Sequence, residues 1–210
     1  MKLYMVPLAP NPTKVMLYIA ERELLGPKLG IEQIVVNTVK GRHREPEHIA
    51  RNPFAKLPVL ELDTGEFLIE SLSIIQYLEH RFPEGAILPK DMLARARALE
   101  LERIIELQVT IPMGQFAHAT NSPLGRPADP ERAAAIKADL PTAMNYLDSK
   151  LDDGRHMLTG GRASIADFTL QSALQFMRFV KADLLEDYPN LQAWDARFRE
   201  TPAAKAVLKW

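Results

Sequence analysis

Cysteine is absent from the 210 residues, which excludes disulfides, thiolate metal sites and cysteine nucleophiles together. An excess of charge of one sign is absent too. Twenty-six Lys and Arg stand against 27 Asp and Glu, a formal net charge of −1, so no global field exists to hold a nucleic acid or an anionic membrane. Long apolar runs are missing: MKLYMVPLAP meets a proline and a polar run before it can form a signal-peptide core, and no stretch approaches a membrane span. The expectation is a soluble cytoplasmic protein with neither nucleic acid nor membrane as partner. The five His, at 43, 48, 80, 118 and 156, form no i, i+4 pair beside an acid of the zinc-peptidase kind, and no other metal-ligand spacing occurs. Internal repeats and low-complexity tracts are absent.

What is present is ordinary globular composition, 47% hydrophobic, enough for a core in one large or two small domains. The first third changes period repeatedly, as alternating strands and helices do. Lys2 to Val6 reads as a strand and Thr13 to Leu25 as a helix, with Asn11 as N-cap and Pro12 at the first helical position. Ile31 to Val36 reads as a β-branched strand, and a basic loop, KGRHRE, and a short helical turn follow. Asp63-Thr64-Gly65-Glu66 then joins Leu57–Leu62 to Phe67–Glu70 in a hairpin, and Ser71 caps a helix containing Ile74, Ile75 and Leu78. The order βαβ then ββα predicts a mixed-sheet α/β domain over 1–82, with a linker at 83–91. From 92 to 210 strand signals vanish and an all-α domain is predicted. Its first long helix is expected to kink or end at Pro112. Asp129-Pro130 and Thr201-Pro202 open later helices, and Ser164 to Asp167 has capping-box spacing.

Four ordered segments carry a family resemblance. They are Ala9-Pro10-Asn11-Pro12-Thr13-Lys14-Val15; Asn52-Pro53-Phe54-Ala55-Lys56-Leu57-Pro58-Val59-Leu60; Glu70-Ser71-Leu72-Ser73-Ile74; and Ser164 to Asp167 followed by Tyr188-Pro189-Asn190-Leu191 and Trp194. The set resembles the cytosolic glutathione transferases, especially the nu class and its yeast prion-like relatives. The resemblance implies a thioredoxin-like domain followed by a helical bundle, a homodimer, a cleft site between domains, a cis Leu57–Pro58 bond, and glutathione as co-substrate. A role in detoxification, with a small hydrophobic electrophile or a disulfide as second substrate, goes with it.

Carried onto this chain, Ser71 and Glu70 are expected at the γ-glutamyl end of glutathione, where a helix N-terminus meets a carboxylate. The bland alternative is a cap and a first-turn acid. Leu57 is expected to pair its backbone with the cysteinyl part. Lys56 and His43 are candidates for the glycine carboxylate; His43, with Arg42 and Arg44, also reads as a solvated charge cluster. The thiol needs a donor or positive potential to ionise near neutral pH. Ala9 stands where serine-type relatives carry their hydroxyl, which leaves the Asn11 amide as the candidate catalytic donor and Thr13 behind it. Asn11 reads equally as an N-cap. Thr110, Met113 and Phe116 are candidates for an apolar acceptor-substrate wall, against a reading as plain core. Two functions follow: a glutathione-dependent transferase, with disulfide reduction as a possible activity, or a binding module of the same fold without turnover, which Ala9 keeps open.

Overall fold

The computed structural model describes residues 1–209. Strands β1 (Lys2–Met5), β2 (Glu32–Val35), β3 (Val59–Glu61) and β4 (Phe67–Ile69) form one sheet in the order β2-β1-β3-β4. β1 runs parallel to β2, with Leu3 opposite Gln33, and antiparallel to β3, with Leu3 opposite Leu60. The parallel pair requires a crossover, supplied by α1 (Pro10–Leu25); β3 and β4 need only the hairpin turn. Helices α2 (Pro46–Arg51) and α3 (Ser71–Arg81) complete this thioredoxin-like unit.

The rest is helical: α4 (Met92–Ile105), a π-helical stretch (Glu106–Thr110), α5 (Ile111–Thr120), α6 (Pro130–Ser149), α7 (Ile165–Phe179), α8 (Pro189–Arg199) and α9 (Pro202–Val207). Every residue from Ile165 to Met177 is buried, which makes α7 the axis of the bundle. The capping box forms, and it does more than end a helix. The Asp167 carboxylate accepts from the Ser164 N–H and hydroxyl, the Leu158 N–H and the Trp194 indole, at 2.8–2.9 Å.

Two expectations at helix N-termini are corrected. Ser71 is the first residue of α3, whose N-cap is Glu70, so Ser71 does not cap that helix. α1 begins at Pro10 with Ala9 as its N-cap, so Asn11 lies inside the first turn and is not the cap. Both prolines fit because first-turn N–H groups have no intrahelical partner to lose. The first helical bond is Thr13 N–H to Ala9 C=O, 3.0 Å. Of the two outcomes expected at Pro112, an end or a kink, the helix does not end but is interrupted in its regular form. The backbone widens over Glu106–Thr110 just before Pro112 and continues directly into α5, so the missing proline donor falls in α5's first turn.

The chain crosses between units along a pinned path. Arg22, fully buried, donates to the carbonyls of Pro27, Phe82 and Glu84. Glu79 accepts from the Tyr18 hydroxyl and from the Ile87 and Leu88 N–H groups. Gly26 and Gly85 cross so closely that a Cβ on Gly26 would stand 2.8 Å from the Glu84 carbonyl oxygen.

Candidate active site

Two helix N-termini converge at the site. Asn11 sits in the first turn of α1, Ser71 opens α3, and the Ser71 hydroxyl donates to Asn11 Oδ1 at 3.2 Å. Each N-terminus carries partial positive charge, so their meeting point favours an anion. Pro10 and Pro12 lack N–H groups, and the Thr13 N–H is used by Ala9, so among the described residues only the Asn11 backbone N–H is unspent in this turn of α1. With its oxygen engaged by Ser71, the Asn11 amide also keeps its NH2 free to donate. Glu70, exposed and beside Ser71, adopts φ 72°, a left-handed setting that costs a non-glycine residue roughly 1–3 kcal/mol and marks a constrained corner.

The loop before β3 is built from α2. Asn52 and His48, both buried, direct Nδ2 and Nε2 to the Lys56 carbonyl at 3.0 Å each, and Asn52 Oδ1 accepts from the Phe54 N–H. Leu57–Pro58 is cis. Among the described residues the Leu57 N–H and C=O have no partner, which leaves an extended donor and acceptor open for a peptide. Lys56 is exposed, and His43, half-buried in a short 3-10 turn (Arg42–Arg44), has a buried Nδ1 without a partner. Burial, followed by the cations of Arg44, His48 and Lys56, holds the His43 imidazole below its ordinary pKa.

The expected apolar wall is only partly present. Met113 is 0% exposed and packs in the core, because it faces into the bundle from α5; this corrects its assignment to the cleft. Thr110 is also buried, its hydroxyl unpartnered, while Phe116 remains half-exposed.

Two groups went unassigned in the sequence. His118, on α5, shares a 2.9 Å hydrogen bond with the Ser122 hydroxyl and meets Phe176 edge-on. Burial first, then the charges of Arg126 and Lys56, hold its imidazole below the ordinary value. Lys14 is fully buried between Glu102 and Glu106. Its only sequence signal is a cation on a helix otherwise burying Val15, Leu17 and Ile19. Among the described residues, no group of three or more His, Asp or Glu could hold a metal ion, and no helix is long and apolar enough to cross a membrane.

The sheet, the converging helix ends and the bundle packed on α1 make this a thioredoxin-like domain joined to an all-helical one. The N-terminal domain model of the glutathione S-transferases matches residues 3–86 and the C-terminal model residues 118–209, and the chain belongs to that family, which uses glutathione as co-substrate. Glutathione S-transferase 2 of Saccharomyces cerevisiae is 27% identical over 213 residues, covering 100% of this chain and 90% of its own. Glutathione S-transferase GstA of Escherichia coli O157:H7 is 30% identical over 164 residues, 77% of each chain. The crystal structure of Gtt2 from Saccharomyces cerevisiae superposes with a TM-score of 0.87 at 27% identity, covering 99% of this chain and 100% of that one.

Proposed function

We propose that this transferase binds glutathione along Asn11, His43, Lys56, Leu57, Glu70 and Ser71, and that the Asn11 amide stabilises its thiolate for attack on a small electrophile or a disulfide. The γ-glutamyl carboxylate meets the Ser71 backbone N–H at the α3 N-terminus, Glu70 takes the ligand amine, and the Leu57 backbone pairs with the cysteinyl unit. His43 and Lys56 face the glycine carboxylate. In conjugation the thiolate sulfur forms the new bond and the electrophile's leaving group departs with the electron pair. Phe116 borders the acceptor side. A cytoplasmic homodimer acting in detoxification completes the reading. The exposed Phe54, Met92 and Leu93, at 68%, 85% and 67%, are apolar surface that a second copy would cover.

The observation that supports catalysis is the 3.2 Å Ser71–Asn11 bond, which occupies the amide oxygen and leaves its N–H groups for sulfur. Asn11→Ala should raise the pKa of bound glutathione and lower kcat near neutral pH by about tenfold, against less than about threefold in affinity, since a donor to the thiolate acts on the ionised form. Because Ala9 is the N-cap, Asn11 can be replaced without removing a cap. Asn11→Asp places negative charge at the sulfur and should be worse than Ala. Wild-type turnover in Asn11→Asp would move the activating role elsewhere, to Thr13 or backbone amides.

A second reading, a glutathione-binding module without turnover, draws on Ala9, which offers no hydroxyl. Retention on glutathione-agarose with no turnover across a panel of electrophiles and disulfides would favour it.

A further inference from the structure

Lys14 is a fully buried cation whose Nζ lies 2.7 Å from Glu102 Oε1 and 2.7 Å from Glu106 Oε2. Glu102 and Glu106 are four residues apart and so project from one side of the α4 run, Glu106 at the start of the π-helical stretch. Lys14 stands three residues after Asn11 on α1, close to the same side of that helix. α7 lies against both helices: the Thr169 hydroxyl, which donates to the Ile165 carbonyl at 2.7 Å, stands 3.4 Å from Glu102 Oε1, and Gln175 Nε2 donates to Thr13 Oγ1 at 3.3 Å.

This arrangement is a poor way to gain stability. A buried ion pair seldom outperforms apolar side chains of similar volume, because both charges must leave water. Here one cation faces two carboxylates, and Glu102 Oε2 is buried with no partner among the described residues. What it does supply is direction. One step along a helix turns a side chain by roughly 100°, so only one rotational setting of α1 satisfies both bonds.

We propose that Lys14 is a positioning residue for thiol activation: its ammonium, held between Glu102 and Glu106, fixes the rotation of α1 that aims the Asn11 amide at the glutathione sulfur. The inference rests on the role given above to Asn11. It acts through geometry, because displacing a catalytic group by about 1 Å can cost on the order of a hundredfold in rate.

The test compares wild type, Asn11→Ala, the neutral triad Lys14→Met/Glu102→Gln/Glu106→Gln, and the triad combined with Asn11→Ala. The triad variant removes all three buried charges at similar volume, so it leaves no uncompensated ion. The readouts are the ultraviolet thiolate absorbance of the glutathione complex against pH, kcat near neutral pH, and glutathione affinity by calorimetry. The triad variant should raise the bound-thiol pKa by about one unit and lower kcat about tenfold, with affinity held within about threefold. In the Asn11→Ala background the same replacements should add nothing. Lys14→Arg is the second variant, and it keeps the charge while changing its reach. It should shift the thiol pKa in the same direction, which a purely electrostatic role would not allow. An unchanged thiol pKa in the triad variant, even with a lower melting temperature, overturns the proposal. An equal shift in both backgrounds overturns it as well, since Lys14 would then act by its field. If Asn11→Ala alone leaves the thiol pKa unchanged, the Asn11 reading fails and this inference falls with it. If Asn11→Ala shifts it and the triad does not, only the role of Lys14 falls.

Discussion

Single side chains near the site are tuned by burial as much as by their neighbours. His43 and His118 both have imidazoles held below the ordinary 6.5, burial being the first cause in each and nearby cations adding to it. The sign of the pH effect follows. Between the lowered native value and 6.5 the unfolded chain binds more protons than the folded one, so stability rises with pH through that window and is lost as pH falls through it. The urea midpoint should therefore fall between about pH 7 and about pH 5.5, and the fall should be shallower in His118→Gln. A slope identical to wild type in that variant would remove His118 from the account. His118 illustrates what a sequence conceals at this scale. A lone His on a helix carries no label, and the influence of Lys56, 62 positions away, arises only in the folded chain.

At the scale of elements, the capping box carries the largest concentrated load. Asp167 gathers four donors inside the protein; burial pushes its carboxyl up, and those donors oppose the shift. Asp167→Ala strands the Ser164, Leu158 and Trp194 donors, at ~1–3 kcal/mol for each buried group left unsatisfied. A loss of about 4 kcal/mol or more is expected from urea unfolding followed by Trp fluorescence, a large part of the ~5–15 kcal/mol typical of a domain. A loss under about 1 kcal/mol would mean that water replaces the carboxylate. This motif was legible beforehand because its partners lie three residues apart, whereas its bonds to Leu158 and Trp194 were not. The same division explains the helix ends. Asp129-Pro130 and Thr201-Pro202 open α6 and α9 as their local chemistry predicts. Pro10-Asn11-Pro12 misled, since either proline satisfies the rule for a first turn and only packing selects Pro10. Pro112 marked where the regular helix is interrupted, but proline chemistry alone does not say that the interruption takes the form of a π-helical stretch. Met113 misled for a related reason: helical spacing marks a buried stripe without saying whether it faces a cleft or the core.

Across the whole molecule, the two units share one interior. A single buried cluster joins Leu3, Leu60 and Ile74 from around the sheet to Ile105, Phe168 and Trp194 in the bundle. α1 is packed against α7 and α9 as well as against α3, so the helix carrying Asn11 is also the hinge surface between units. Polar contacts reinforce the joint, through Lys14 to α4 and through Arg22 and Glu79 to the connecting chain. Neither unit can lose its fold without exposing apolar surface of the other, so unfolding should be a single cooperative event. Native-state hydrogen exchange at fixed protein concentration tests this, because amides of β1 and β3 should merge with those of α7 into one opening free energy as urea is added. Glu79→Ala supplies the contrast. It leaves the Tyr18 hydroxyl and two N–H groups of the connecting chain without their acceptor while touching neither the sheet nor α7. The variant should be less stable by about 3 kcal/mol or more, from ~1–3 kcal/mol for each of the three stranded groups, and its sheet and bundle amides should begin to separate. Sheet amides that open at lower urea than α7 in the wild-type protein would show two independent units, and the joint around α1 would then be contact without coupling.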